Sequence, residues 1–71
     1  MSRAEERERL GGLSVVELQQ ELKQAREELF QNRVRYATRA LDNPEPLRKG
    51  RKKIARILTY IRQRELAEQQ L

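Results

Sequence analysis

Asp42-Asn43-Pro44-Glu45-Pro46 is the stretch on which the fold turns. Asn43 precedes a proline, which biases it away from the α region, and its short polar side chain suits an N-cap. Pro44 then stands at the first helical position, where a missing N–H costs nothing, and Pro46 still lies within the first turn. These five residues stop one helix and start another. A connection this short between two long helices forces them antiparallel.

Upstream, Leu18, Leu22, Ala25 and Leu29 recur at 4-3-4 spacing, and the stripe then shifts one position to Phe30, Val34, Ala37 and Leu41. The spacing predicts one helix over residues 14–41, about 40 Å long at 1.5 Å per residue, with Phe30 a seam residue. Ser14 followed by Glu17 forms a capping box, and Leu13 with Leu18 a hydrophobic staple, which together fix the start. Downstream, a helix over residues 44–69 places Leu47, Gly50, Ile54, Ile57, Leu58 and Ile61 on one side at about 100° per residue. The apolar stripe of the first helix is narrow, so that helix packs against one partner helix. The expected fold class is all-α, a long antiparallel two-helix hairpin.

Residues 13–71 are taken as the hairpin domain and residues 1–12 as a polar N-terminal extension, because only Ala4 and Leu10 offer anything to bury before Gly11-Gly12 breaks the chain. That extension is expected to be a frayed helical turn or disordered. The closing residues 68–71 are expected to fray.

A chain of 71 residues with 38% charged side chains and three aromatic residues holds one small domain with little core, partly stabilised by a partner. It contains neither Cys nor His, which removes disulfides, thiol nucleophiles, imidazole bases and the common transition-metal ligands. Glu27 and Glu28 are adjacent, so they diverge on a helix and make a poor acid–base pair. No apolar run approaches the roughly 20 residues of a membrane span, and no hydrophobic secretory core follows Met1. The expectation is a cytoplasmic, non-enzymatic protein with no cofactor, no metal, no small-molecule substrate and no membrane.

Charge points to the partner. The net charge is +5, and residues 42–71 hold nearly all of the excess, with eight Lys or Arg against four Asp or Glu. Six of the nine residues from Arg48 to Arg56 are cationic. Arg48, Lys49, Lys52, Lys53, Arg56 and Thr59 fall opposite the apolar side, and no acid between Arg48 and Arg62 compensates them at i,i+4. Uncompensated like charges on one helix face suit a polyanion, and phosphate contacts of this kind give salt-dependent affinity with little base specificity. Tyr60 borders the face; Arg26 and Arg33 lie beside the stripe of the first helix, where they either snorkel or meet phosphates.

Three blocks resemble the bacterial large-subunit ribosomal protein family numbered twenty-nine. They are Leu13-Ser14-Val15-Val16-Glu17-Leu18, then Glu28-Leu29-Phe30 followed by Arg33, and above all Lys53-Ile54-Ala55-Arg56-Ile57-Leu58-Thr59. The resemblance covers roughly residues 13–65. It implies a structural constituent of the large ribosomal subunit, bound to large-subunit ribosomal RNA near the peptide exit tunnel, beside ribosomal protein twenty-three and within reach of a ribosome-associated chaperone or targeting factor. By position it makes Arg33, Arg51, Lys52, Arg56 and Thr59 RNA-facing. The chain has Asn32 where the family often has Leu, and Arg39 where it often has a small Gly; Arg39 offers an added phosphate contact. With the wheel, the expected RNA-binding set is Arg33, Arg39, Arg48, Lys49, Arg51, Lys52, Lys53, Arg56 and Thr59. The alternative is a stand-alone dimeric helical hairpin binding RNA or DNA. An enzyme assembled from helical subunits, like the small all-helical mutases, lacks an inward convergent acid here.

Overall fold

The computed structural model describes residues 2–69 and is helical almost throughout. Its elements are α1 (Arg3–Gly11), α2 (Val15–Ala37) and α3 (Glu45–Gln69). Helices α2 and α3 form the expected antiparallel pair, within a body 49 × 22 × 14 Å in extent. The expected two-helix hairpin is therefore corrected to three helices, because the N-terminal residues fold as well.

Helix α1 forms for local reasons. The Ser2 hydroxyl accepts from the Glu5 N–H at 3.2 Å, while the Glu5 carboxylate accepts from the Ser2 N–H at 3.4 Å. This capping box satisfies orphan donors of the first turn. Leu10 then anchors the helix: it is 1% exposed and packs with Leu18, Leu22, Ala25, Ile57 and Ile61. Three side chains are almost wholly enclosed, Leu10, Leu18 and Ile57, one from each helix. Burying a leucine is worth about 1.5–3 kcal/mol, which favours docking of this short helix on the hairpin.

Helix α2 starts as the sequence predicts. Ser14 and Glu17 exchange both capping-box bonds at 3.2 Å, and Leu13 packs on the core that contains Leu18. It ends at Ala37 rather than Leu41. The Thr38 hydroxyl donates to the carbonyls of Val34 and Arg35, Arg39 takes a left-handed φ of 63°, and its N–H donates to the Tyr36 carbonyl. A left-handed residue just past the helix end is a common way to stop a helix, and glycine is the usual residue there.

The buried stripe of α2 does not shift as expected. Leu18, Leu22, Ala25 and Leu29 are buried, whereas Phe30 and Val34 are exposed, Phe30 to 68%. Phe30 falls on a flank of α2 rather than in the seam, and register supplies the reason for Val34. A Cβ placed on Gly50 would lie 3.1 Å from Leu29 Cδ1, so these two residues face each other. Counting outward, Val34 lies level with the first residue of α3, and nothing helical stands opposite the residues beyond it.

Helix α3 begins one residue later than expected. The Asn43 side-chain oxygen accepts from the Glu45 N–H at 3.0 Å, and the Pro44 carbonyl accepts the first main-chain bonds, from Leu47 and Arg48. It runs to Gln69, so residues 68 and 69 are helical; the remainder of the expected frayed end, residues 70 and 71, lies outside the described residues. Leu58, placed on the apolar side by the wheel, is 42% exposed at its edge.

Candidate nucleic-acid interface

Helical periodicity and the apolar seam together decide where the cations of α3 project. Gly50, Ile54, Ile57 and Ile61 face α2, which leaves Arg48, Lys49, Lys52 and Arg56 on the outer side and Lys53 on its margin. Helix α1 turns that side into an open groove. Arg3 and Glu6 from α1 line it together with Glu45, Arg48, Lys49, Lys52, Lys53 and Arg56 from α3. Six cations and two carboxylates thus share one concave surface.

Both carboxylates are occupied. Glu6 accepts from Arg56 at 2.7 Å, and Glu45 accepts from Arg48 at 3.1 Å, one turn along the same helix. Arg56 is therefore half-buried and fixed in direction by α1. Lys49 and Lys52 are exposed, and no ion pair involves them among the described residues. Lysine ammonium groups held this way repel one another, and a phosphate chain relieves that repulsion. The compensation that α3 lacks along its own sequence beyond Glu45 is partly supplied through space, since Glu6 lies fifty residues from Arg56.

The other expected residues divide by position. Lys53 reaches both the groove and a second hollow, lined by Glu28, Asn32 and Lys49, where it borders α2. Thr59 donates its hydroxyl to the Ala55 carbonyl at 2.9 Å, leaving only its oxygen lone pair to accept from outside. Arg33, Arg39 and Arg51 are not in the groove. Arg39 sits at the tip of α2, while Arg33 and Arg51 project from the opposite flank of the hairpin. Arg3 is the residue missed by sequence reasoning. The signal for it was the capping box Ser2-Arg3-Ala4-Glu5, which places Arg3 on a helix rather than in a loose tail.

Two further bonds hold α1 over the end of α3. Arg9 donates to Glu21 of α2 at 2.7 Å, and the Arg64 guanidinium donates to the Gly11 carbonyl at the C-terminal end of α1, where a cation complements the helix dipole. Among the described residues no group of carboxylates is gathered to hold a metal ion, and no helix is long and apolar enough to cross a membrane.

Comparison with known proteins places these features in context. The profile of the family described as ribosomal L29 protein matches residues 8–64, so the first turns of α1, with Arg3 and Glu6, precede the matched region. The large ribosomal subunit protein uL29 of Halalkalibacterium halodurans is 47% identical over 57 residues, covering 80% of this chain and 85% of its own length. The protein of the same name from Thermobifida fusca is 51% identical over 57 residues, covering 80% of this chain and 67% of the relative. That of Caldanaerobacter subterraneus subsp. tengcongensis is 54% identical over 54 residues, covering 76% and 82% respectively. No solved structure matches significantly.

Proposed function

The chain belongs to the ribosomal L29 protein family, and from that premise we propose how it takes its place in the ribosome. It is a structural, non-catalytic constituent of the large ribosomal subunit, working in the cytoplasm among ribosomal RNA and other ribosomal proteins. Its basic groove between α1 and α3 lies on large-subunit RNA. Lys49 and Lys52 neutralise phosphates directly, Arg48 and Lys53 flank them, and Arg56 offers the N–H groups that Glu6 leaves free. The single observation that carries this reading is the convergence of six cations from two helices on one open groove.

A surface of this kind binds by releasing counterions, so its affinity falls steeply with salt and depends little on base identity. The protein's task is then to bridge and neutralise neighbouring RNA phosphates in the folded subunit. Its family resemblance supports a seat beside ribosomal protein twenty-three near the peptide exit tunnel, with a chaperone or targeting factor docking close by.

The test is Lys49→Glu combined with Lys52→Glu. Both side chains are exposed and unpaired among the described residues, so circular dichroism should stay unchanged, whereas Arg56→Glu would also set two carboxylates against each other at Glu6. Affinity for large-subunit RNA should fall at least tenfold at low salt, and the slope of log affinity against log salt should flatten by about one for each phosphate that the variant no longer neutralises. Binding that survives both reversals would exclude the groove as the RNA face.

A further inference from the structure

The hairpin has a second side that α1 does not touch. Helix α1 packs beside Tyr60 and Arg56 of α3 and reaches Glu21 of α2, covering one flank of the helix pair. On α2, the carboxylate of Glu28 lines the hollow on that covered flank, and Glu27 projects toward the back of the helix with Glu17, Gln20 and Gln24. The opposite flank carries Arg26, Phe30 and Arg33, which lie within about 60° of one another on the wheel. Gly50 faces Leu29, so Arg51, the next residue of α3, stands beside Phe30 on this same flank.

Phe30 is the most exposed large apolar side chain of those that the structure leaves in solvent, at 68%, and exposed arginine positions of both helices share its flank. An exposed phenyl ring that shares its flank with arginine positions of both helices, with the nearby carboxylates on other faces, has the composition of a stacking platform for single-stranded nucleic acid. Charge decides between occupants. A second copy of the chain would bring the same three arginines against this flank, and an apolar protein surface would bury them unpaired. An RNA strand satisfies both features at once, because its phosphates pair with the arginines and its base covers the ring.

We propose that this bare flank, centred on Phe30 with Arg26, Arg33 and Arg51, is a second RNA-binding surface that stacks one unpaired base on Phe30 and holds the adjoining phosphates on the arginines. The proposal rests on the RNA-binding reading above and extends it. The groove on the α1 side takes backbone phosphates without regard to pairing, and the bare flank selects an unstacked nucleotide. The protein thereby joins two RNA segments on different sides of one small body.

The experiment uses the full chain with two fluorescently labelled probes at low salt, a blunt RNA duplex and the same duplex carrying an unpaired uridine loop. Phe30→Ala should weaken binding of the looped probe by about 5- to 100-fold, the value of one base–aromatic stack, and leave binding of the duplex unchanged. The chain has no Trp, so Phe30→Trp introduces a single reporter whose emission should be quenched by the looped probe and not by the duplex. Lys49→Glu with Lys52→Glu should weaken both probes. Loss of all binding with the lysine reversals, alongside looped-probe affinity untouched by Phe30→Ala, would overturn the second surface and leave the groove standing. Indifference of both probes to the lysine reversals would instead overturn the groove. A concentration-dependent dimer of the free chain that Phe30→Ala dissociates would assign the flank to self-association and overturn the proposal.

Discussion

Arg39 shows what a single backbone angle can cost. Its φ of 63° lies where an L side chain crowds its own carbonyl and glycine does not. The position follows the end of α2, so the strain is the consequence of turning the chain toward Asn43. Arg39→Gly should therefore raise stability by about 1 kcal/mol, seen as a higher urea midpoint with unchanged slope. No gain would mean that the arginine is held there by contacts that repay the strain. Gly50 presents the opposite constraint. A Cβ there would come within 3.1 Å of Leu29 Cδ1, and the two helices approach closely at this level. Gly50→Val should cost about 1–3 kcal/mol by overpacking, even though glycine is itself a weak helix former. A melting temperature equal to that of the parent would show that Leu29 has room to turn aside.

Among the helices, α1 depends most on a single side chain. Leu10→Ala should destabilise the protein by about 2–3 kcal/mol and speed amide exchange first across residues 3–11, while α2 and α3 remain paired. Equal protection of α1 in the variant would show that its ion pairs, each worth at most about 1 kcal/mol, hold it without the leucine. Helix starts were legible because caps are local: Ser14 with Glu17 and Asn43 before Pro44 each bond as their spacing implies. The same signature at Ser2 and Glu5 was equally present, yet a polar decapeptide offers no periodicity to accompany it, and only the folded hairpin supplies the pocket for Leu10. The course of α2 beyond Leu29 was not legible for a related reason. Phe30, Val34, Ala37 and Leu41 keep a helical spacing in the sequence, but whether a stripe is buried depends on where the partner helix begins. Register alone leaves Val34 at the open end of α3, and Phe30 falls on a flank rather than in the seam.

Across the whole molecule, charge and shape act together. A thin three-helix body with a small core has cationic surfaces on two sides, and seven of its nine candidate residues divide between them, Arg48, Lys49, Lys52, Lys53 and Arg56 to the groove and Arg33 and Arg51 to the bare flank, while Arg39 and Thr59 lie outside both. The basic run of α3 was plain in the sequence because it is continuous. Its pairing with Glu6 was not, because that contact spans fifty residues and depends on α1 folding. The proposed placement, which follows from this distribution of charge, sets the groove side of α3 against large-subunit RNA and turns the acidic back of α2 away from it. The absence of Cys allows one cysteine to be placed at will, as Lys52→Cys in the groove or Gln20→Cys on the back, each tethered to an iron chelate and assembled into large subunits. Hydroxyl radicals generated there cut nearby RNA. Strong, localised cleavage of large-subunit RNA from position 52, with weak cleavage from position 20, is the expected result; cleavage from position 20 that equals or exceeds it would put the back of α2, and not the groove, against the RNA.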